Sequence, residues 1–452
     1  MTQRLVGSSL PSEGEVAPRS IVTALGVLAA VVVVFVASGH GVYLAGALGF
    51  LVALLVSVCL HEGGHFLTAR HYGMKATQFF VGFGPTLFSR RRGETEYGVK
   101  AVPLGGFVKI TGMTPLEDVE PGDEERVFYK APVRQKVVVL AAGSTMHFLI
   151  ATVLVVGATF ALGVQKEQAP AVGAVSQCVA PDPTTPAKAG ADPVDVCDLP
   201  GAVPAPAAAA GLRKGDVVTS LDGKALSGAE ALVRGIRAAP GREVVLGVRR
   251  GDRTLQLRVT PAAVEKASLD NARVPEMAGA IGVLPQSRID VVRVGPAQSL
   301  RASGDVAVLF LTGIRDTVTE KLGSITRIYS KDRDPAGFVG IVGVGRISGE
   351  VLASKETAGV KALGLILIVA SLNLFVGLFN LLPLLPLDGG HIAVALYEGA
   401  RDKARRLRGY RGPFQRVDYN RLLPVTYGVA GLFLLFTVAL LGADLFNPIR
   451  IT

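Results

Sequence analysis

The sequence predicts an α-helical multi-pass membrane protein with a β-rich region beside the membrane and an α+β domain outside it. Of its 452 residues, 49% are hydrophobic, and the mean hydropathy is +0.43. The apolar residues are gathered into long blocks, which is typical of membrane-spanning helices and not of a soluble core. Residues 165–360 are instead soluble in character, with short alternating runs that end at Gly- and Pro-containing turns.

Five apolar blocks are each long enough to cross a bilayer, which takes about 20 residues in a helix. They cover residues 21–38, 41–60, 137–164, 362–387 and 423–443. A short Gly-His-Gly turn separates the first two, and residues 20–60 contain no Lys, Arg, Asp or Glu. The first block is alternatively a signal peptide, because its last three residues resemble a cleavage site. It is longer than the apolar region of most signal peptides, which favours a span.

Basic residues are concentrated in two of the predicted loops. Eleven Lys or Arg lie between residues 66 and 136, and eight lie between residues 389 and 422. Because short cytoplasmic loops carry an excess of Lys and Arg, both loops are expected in the cytoplasm. This topology accounts for the formal net charge of +10. It argues against a nucleic-acid partner, since the sequence contains no basic module with interleaved aromatic residues.

The three cysteines fall into two groups. Cys178 and Cys197 lie in the segment that this topology places outside the cytoplasm, where disulfides persist. We therefore expect a bridge between them, and two free thiols are the alternative. Cys59 lies within a predicted span and is expected to be a small buried apolar residue.

The soluble segment contains one recognisable domain. Residues 179–210 are rich in Pro and Ala, and three short runs of alternating apolar and polar residues follow. With a helix predicted at residues 228–239, this region resembles a PDZ domain, most clearly in the GLRKGD stretch at residues 211–216. PDZ domains bind extended chain ends by adding a strand to a sheet edge. A β-rich spacer without a ligand is the alternative.

The loop between the second and third spans is predicted to be β-rich. Residues 76–113 are largely apolar, with a turn at residues 90–94 and glycines at positions 82, 84, 105 and 106. Such a sheet is expected to dip into the edge of the bilayer, where an exposed strand edge can hold a substrate in extended form. A purely structural hairpin is the alternative.

The chemistry of the chain is concentrated in a His-Glu-Gly-Gly-His motif at residues 61–65, directly after the second span. On a helix His61 and His65 face the same way, so both imidazoles can bind one cation while Glu62 stays off the metal. Zinc accounts for all three residues, because it binds neutral imidazoles and activates a water molecule for which Glu62 is the general base. The alternative is a pair of interfacial histidines, which leaves Glu62 as an uncompensated carboxylate at membrane depth.

A catalytic zinc needs a third protein ligand, and three residues near the motif are weak candidates for it. His71 has the spacing of the extended H-E-x-x-H-x-x-G-x-x-H pattern, but Thr68 replaces the glycine at which that chain turns. If the helix continues, His71 points away from His65. Glu94 and Glu96 lie in a charged turn and are expected to be solvated.

Asp388 is the stronger candidate for the third ligand. It follows an apolar stretch in which Pro383 and Pro386 break the helix, and broken backbone at membrane depth lines a cavity. The two glycines after Asp388 permit close approach of the backbone. Asn380, about one helical turn before the first proline, either binds a substrate carbonyl or makes a polar contact between helices.

Together these motifs resemble the bacterial site-2 proteases, zinc metalloproteases that cleave transmembrane helices within the membrane and often act on anti-sigma factors. The resemblance covers most of the chain from about residue 42. It is carried by HEGGH at 61–65, GFGP at 82–85, PLGG at 103–106, the single PDZ-like region and NLLPLLPLDGG at 380–390. It implies zinc bound by His61, His65 and Asp388. It also implies Glu62 as the base and Asn380 in substrate binding.

The chain departs from the family pattern in three places. The second core span usually contains a Gly-Pro pair and an Asn, where this chain has Ser144 and His147. His147 is therefore either a substitute for the Asn or a core residue. Before the fourth span, FVGIVG stands where Gly-Pro-Val-Gly is common, and the block at residues 21–38 is not part of the four-span core.

The expected protein is a zinc metalloendopeptidase of the bacterial plasma membrane that acts in regulated intramembrane proteolysis, after another protease has trimmed its transmembrane substrate. Its active site is expected toward the cytoplasm. Two rival hypotheses are a non-catalytic membrane adaptor with a structural metal and a transporter, for which no inverted repeat is visible.

The sequence divides into five expected parts. These are an N-terminal tail and extra span (1–40), the first half of the protease core (41–164), an extracytoplasmic PDZ-like domain (165–290), a linker (291–360) and the second half of the core (361–452). The linker includes an amphipathic segment at residues 299–328 that is expected to lie on the membrane surface.

Overall fold

The computed structural model describes residues 36–113, 119–181, 196–269, 275–320, 322–330, 333 and 337–449. In this part of the chain the helices are α1 (Gly41–His71), α2 (Val133–Ala161), α3 (Pro206–Ala209), α4 (Ala229–Arg237), α5 (Pro296–Glu320), α6 (Ile341–Ala353), α7 (Ala358–Asn380), α8 (Asp388–Leu407) and α9 (Leu423–Phe446). The strands are β1 (Ala76–Arg92), β2 (Thr95–Ile110), β3 (Val164–Val175), β4 (Cys178–Val179), β5 (Val203–Pro204), β6 (Val217–Leu221), β7 (Lys224–Ala225), β8 (Val244–Arg250), β9 (Arg253–Val259), β10 (Ala262–Ala267), β11 (Pro275–Ala280) and β12 (Val283–Val292). The described residues form two compact units, one within residues 162–294 together with 357–360 and one that contains the other described residues.

Four helices in the described part of the chain are long and apolar enough to cross a membrane, namely α1, α2, α7 and α9. Their most apolar windows have mean hydropathies between 2.1 and 2.5. A helix satisfies its own backbone N–H and C=O groups, which a lipid environment requires. These four correspond to four of the five predicted spans. The fifth, at residues 21–38, lies almost entirely outside the described residues.

The fourth predicted span is shorter than the sequence pattern indicated. Its apolar run continues to residue 387, but α7 ends at Asn380 and α8 begins at Asp388. Pro383 and Pro386 lack the N–H groups that a continuing helix needs, so residues 381–387 are irregular. Asp388 therefore begins a new helix and does not end a span.

The β1–β2 sheet forms the predicted β-rich region. Both strands bend, so that their segments lie side by side in the order 106–110, 76–81, 96–99 and 86–92. Phe79, for example, pairs with Val108 on one side and with Tyr97 on the other. Gly82 has a φ of +87° at the bend, a conformation that glycine adopts without strain. The 106–110 segment is consequently an edge of the sheet.

The short helix α6 packs against α1 at very close range. A Cβ added at Gly46 would lie 2.5 Å from the Ser348 carbonyl oxygen, and one added at Gly349 would lie 2.7 Å from the Tyr43 carbonyl oxygen. Small residues therefore allow the two backbones to touch, as is common between helices in membranes.

Asp444, near the end of α9, fixes the beginning of α6. Its Oδ2 accepts hydrogen bonds from the backbone N–H groups of Gly340 and Gly343, both at 2.9 Å. Its Oδ1 accepts one from Arg333, also at 2.9 Å. The carboxylate thus satisfies N–H groups that have no partner within the helix, at the end where the helix dipole favours negative charge.

The stretch predicted as an amphipathic surface segment is largely the helix α5. Its beginning packs on the end of α2, where Thr159 Oγ1 and Ser303 Oγ lie 2.8 Å apart and both residues are buried. Several large apolar side chains of α5 are exposed, at positions 300, 308, 309 and 311.

The unit of residues 162–294 is built on an antiparallel sheet with the order β12-β3-β6-β8-β9, and β7 pairs with β6. The predicted helix of this region is α4, which buries Leu232 and Ile236 in the core of the unit. Cys178 and Cys197 form a disulfide. Most buried side chains here are small aliphatic residues from the sheet, including Val218, Val244 and Val248.

Candidate metal centre

Three side chains that the sequence singles out converge at one point of the helical unit. His61 Nε2 and His65 Nε2 lie 3.1 Å apart. Asp388 Oδ2 lies 3.5 Å from the first nitrogen and 3.3 Å from the second. Both histidines are buried, and together the three residues offer ligand atoms that all lie within 4.8 Å of one another.

These separations match those of ligand atoms around a zinc ion. Zn–N and Zn–O bonds are about 2.0–2.2 Å long, so neighbouring ligands of a tetrahedral ion lie about 3.3–3.6 Å apart. The measured separations of 3.1, 3.3 and 3.5 Å fall at or close to that range. Two imidazoles and one carboxylate leave a fourth position for water, which is the pattern of a catalytic rather than a structural site.

The hydrogen bonds around the cluster also favour a cation. His65 Nδ1 lies 2.8 Å from the Val139 carbonyl oxygen, which can only accept, so Nδ1 carries the proton and neutral His65 presents a lone pair at Nε2. Asp388 Oδ2 is buried and has no hydrogen-bond partner among the described residues. Lone pairs and a carboxylate that face one another repel, and a cation between them removes that repulsion.

Helix α1 places both histidines because it runs unbroken through the motif. It continues past the predicted end at residue 60 as far as His71, so residues 61 and 65 lie one turn apart on the same face. Thr68, which stands where a turning glycine is required for a third histidine ligand, donates hydrogen bonds to the carbonyl groups of Gly64 and His65. His71 is exposed and lies against Tyr72.

Gly143 of α2 makes room for the two imidazoles. A Cβ at this position would lie 2.4 Å from His65 Nε2 and 2.5 Å from His61 Cε1. Carbon atoms do not approach side chains so closely, so any larger residue here would displace the histidines from each other or from α2.

Two further glycines bring Asp388 to the centre. A Cβ on Gly389 would lie 2.3 Å from the Leu381 carbonyl carbon, and a Cβ on Gly390 would lie 2.5 Å from the Leu385 nitrogen. The irregular segment 381–387 therefore folds back directly onto the first turn of α8. This contact of backbone on backbone fixes where α8 begins, and with it the position of the carboxylate.

Glu62 is directed at the β1–β2 sheet. Its Oε2 accepts a hydrogen bond of 3.0 Å from the backbone N–H of Val108, in the edge segment 106–110. A Cβ on Gly106 would lie 3.7 Å from Glu62 Cγ, so this part of the strand packs on the carboxylate side chain. The candidate base and an edge of the sheet are neighbours.

The remaining candidates from the sequence lie elsewhere. Glu94 forms two hydrogen bonds of 2.8 Å with Arg126, and the guanidinium holds the pKa of this carboxyl below its usual value. Glu96 pairs within the sheet opposite Gln78 and Arg91. Asn380 is the half-buried last residue of α7, immediately before the irregular segment.

Sequence reasoning missed two polar residues beside the centre and left a third undecided. His147 of α2 has its ring centroid 4.8 Å from that of His61 and is hydrogen-bonded to Asn373 of α7. Asn373 in turn donates to Ser57 of α1. The one signal in the sequence was that a buried polar side chain in an apolar span is costly and therefore tends to have a role.

Comparison with known proteins identifies a matching family and several relatives of this chain. Residues 49–412 match the model of peptidase family M50. The chain is 37% identical to the zinc metalloprotease Rip1 of Mycobacterium bovis over 90% of its own length and 99% of that protein. It is 35% identical to Rip1 of Mycolicibacterium smegmatis, over 90% and 98% of the two chains. It is 29% identical to a putative zinc metalloprotease of Nostoc, over 81% and 90%.

Proposed function

The chain belongs to peptidase family M50, the site-2 proteases, and is an intramembrane zinc metalloprotease; from this premise we propose which residues carry the reaction. His61, His65 and Asp388 hold the zinc ion, Glu62 is the general base and Asn380 binds the substrate. The observation that carries the assignment is the convergence of two Nε2 atoms and one carboxylate oxygen within 3.5 Å. The separations suit a tetrahedral ion.

The reaction is hydrolysis of a peptide bond. Zinc bound at these three residues supplies a Lewis acid that activates water and polarises the scissile carbonyl. Glu62 accepts a proton from the attacking water as the C–O bond forms, and it delivers a proton to the nitrogen as the C–N bond breaks. The N–H of Val108, 3.0 Å from Glu62 Oε2, orients the carboxylate for both transfers.

The substrates are membrane proteins, and we infer that the cleaved segment is extended when it reacts. A helix buries its amides in hydrogen bonds, so its peptide bonds are accessible only after local unwinding. The edge segment 106–110 lies beside Glu62, which occupies the Val108 N–H, and an extended chain that pairs with the rest of this edge would lie next to the base. Substrates with helix-breaking residues should be cleaved faster than the same substrates with a stabilised helix.

The β-rich unit is assigned as an extracytoplasmic PDZ-like domain that selects substrates. β12 is an edge strand of its sheet, and α4 contacts β12. An extended chain end can add to this edge beside the helix, which is the mode in which PDZ domains bind. The basic loops, with eleven and eight Lys or Arg, assign the opposite side of the membrane to the cytoplasm, with the active site toward it.

We propose that the enzyme acts in the bacterial plasma membrane as the second protease on substrates such as anti-sigma factors, after a first cleavage has removed their outer part. A domain that reads chain ends suits this order, because the first cleavage creates a new end. Deleting the outer part of a substrate should therefore increase its rate of cleavage by the purified enzyme.

The decisive experiment compares the purified full-length protein with Glu62→Gln on a transmembrane substrate, with zinc measured in both. We expect zinc to be retained and cleavage to be lost, because the amide cannot accept the proton. Equal cleavage by both proteins would remove Glu62 from the mechanism. A zinc-containing wild-type protein that cleaves no transmembrane substrate would favour the non-catalytic adaptor.

A second experiment tests the ligand set with a matched pair. Asp388→Ala should lose zinc, whereas His71→Ala should retain it, because the His71 ring lies against Tyr72 and outside the cluster. Loss of zinc only in His71→Ala would overturn the assignment.

A further inference from the structure

The two histidines of the centre are held in different ways. His65 is fixed by the hydrogen bond of its Nδ1 to the Val139 carbonyl oxygen. His61 Nδ1 is buried and makes no well-formed hydrogen bond to a described residue; the backbone of Gly143 is a weak polar neighbour of the ring. Histidines that bind metals almost always donate their second nitrogen to a partner, which sets the tautomer and orients the ring. A weak backbone neighbour holds the ring less firmly than the bond at His65, so other contacts must help to orient His61.

The ring of His61 is packed between two other imidazoles. His65 meets it edge-on, with centroids 4.7 Å apart and planes at 82°. His147 lies against it with centroids 4.8 Å apart and planes at 37°. Because the His65 contact is made by another member of the cluster, His147 supplies the aromatic contact to His61 from outside the cluster.

A directed chain of hydrogen bonds fixes His147 itself. Asn373 Nδ2 donates to Ser57 Oγ at 3.0 Å and to the Val369 carbonyl at 2.8 Å, which uses both of its protons. Asn373 Oδ1 therefore faces His147 Nδ1, 2.8 Å away, and that nitrogen carries the proton. Ser57 Oγ donates to the Ala53 carbonyl at 2.9 Å, so it can accept from Asn373.

This chain of bonds forms a closed path through three membrane helices. It begins at Ser57 on α1, passes through Asn373 on α7 to His147 on α2, and returns by ring contact to His61, one turn after Ser57. Ser57, His147 and Asn373 are each at most 3% exposed. Burying three polar groups in an apolar span is costly, and their mutual hydrogen bonds offset that cost.

We propose that His147 is a positioning residue of the metal centre, which holds the ring of His61 in its ligating orientation and is itself held by Asn373 and Ser57. The proposal rests on the zinc site of the proposed function. His147 is not a member of the group whose ligand atoms lie within 4.8 Å of one another, so it acts through His61 and not as a ligand. The ring contact helps to orient His61, as the hydrogen bond to the Val139 carbonyl orients His65.

The test measures zinc affinity of the full-length protein by chelator competition, and the visible spectrum of the cobalt-substituted enzyme. Removing the outer partner of a metal-binding histidine typically costs about 10–100-fold in metal affinity. We expect a loss in that range for His147→Ala and for Asn373→Leu, each with a changed cobalt spectrum. Saturating zinc should restore most of the activity at unchanged KM, because the ligand is displaced and not removed.

A double-mutant cycle tests whether the two residues act as one unit. If His147 depends on Asn373, the double variant should lose no more zinc affinity than His147→Ala alone. The matched control is Thr159→Val, which removes a buried polar contact to Ser303 on the same helix but lies about 18 Å along α2 from His147. It should leave zinc affinity and the cobalt spectrum unchanged.

The outcomes separate this proposal from the one on which it rests. If His61→Ala retains zinc, the assignment of the site fails. If His61→Ala loses zinc while His147→Ala binds zinc with the wild-type affinity and cobalt spectrum, only the positioning role fails. A loss of affinity in Thr159→Val equal to that in His147→Ala would also overturn the proposal, because it would show a general effect of helix packing.

Discussion

Two carboxylates with buried oxygens, one in each unit of the protein, have opposite surroundings. Asp216 in the β-rich unit is 1% exposed and fully paired: Arg250 donates to both of its oxygens at 2.7 Å, and the Arg213 N–H donates at 2.9 Å. Asp388 in the helical unit has a buried Oδ2 without a hydrogen-bond donor among the described residues, and two imidazole nitrogens lie 3.3 and 3.5 Å from it. The protein itself supplies hydrogen-bond donors to both oxygens of Asp216, whereas Asp388 Oδ2 has none among the described residues.

The difference distinguishes a structural charge from a functional one. A buried ion pair with all its hydrogen bonds made has no free position for a ligand, and removing one partner destabilises the fold. A buried oxygen without a partner costs free energy in the absence of a ligand, and a bound cation offsets that cost. Asp444 follows the first pattern even within the membrane unit, because Arg333 and two backbone N–H groups surround it.

The largest expected effect comes from Asp388→Asn. Metal catalysis supplies several kcal/mol of transition-state stabilisation, so losing the charged ligand should lower kcat/KM by about a thousand-fold or more. In zinc-free protein the same change should leave thermal stability equal or higher, since it removes an uncompensated buried charge. Activity assays and thermal unfolding in a chelator measure the two effects. A large loss of stability without zinc would mean that Asp388 is a structural residue.

The second expected effect concerns the space that the histidines occupy. Gly143→Ala adds a Cβ that would lie 2.4 Å from His65 Nε2, so we expect zinc affinity and activity to fall by about 100-fold, which corresponds to about 2.7 kcal/mol. Gly157→Ala on the same helix is the control, because nothing lies within 4 Å of its added Cβ. Similar zinc affinities in the two variants would contradict the geometry of the centre.

The sequence predicts those site residues that follow local rules such as helical spacing, and it does not predict those that depend on contacts between distant segments. His61, Glu62 and His65 are placed by helical spacing, a local rule, and the structure keeps them on one helix face. Asp388 was inferred because prolines break a span before it, although that span ends earlier than the apolar run indicated. The partners of Glu62 and His61, at positions 108 and 147, depend on tertiary contacts between distant segments. Gly143 has no local signal at all.

A third effect tests the contact between the base and the sheet. Val108→Pro removes the N–H that donates to Glu62 but no hydrogen bond between the 106–110 and 76–81 segments, since that N–H points to the carboxylate. We expect kcat to fall about tenfold, because a charged hydrogen bond contributes about 1.5–3 kcal/mol and part of it is replaced by water. Zinc content should not change. Val108→Ala is the control and should retain kcat; equal activity of the two variants would remove the orienting role of this amide.

The smallest effect on catalysis is expected from Asp216, the paired carboxylate of the comparison. Asp216→Asn should leave cleavage by the metal centre within about twofold, yet destabilise its unit by about 2–3 kcal/mol, because hydrogen bonds to charged groups contribute about that much. Hydrogen exchange of amides in β6 and β8 of the full-length protein measures the loss.

The pH dependence of stability gives a second test of the role of Asp216. Arg250 holds the pKa of Asp216 below its usual value, so the carboxylate binds a proton more weakly in the folded unit than in the unfolded chain. Its stabilisation is complete above the unfolded pKa of about 3.9 and is lost as the pH falls through the lower folded value. The wild-type unit should therefore lose protection below about pH 4. The Asn variant should lack this contribution to the slope, and an identical slope in both proteins would show that Asp216 is not the titrating group.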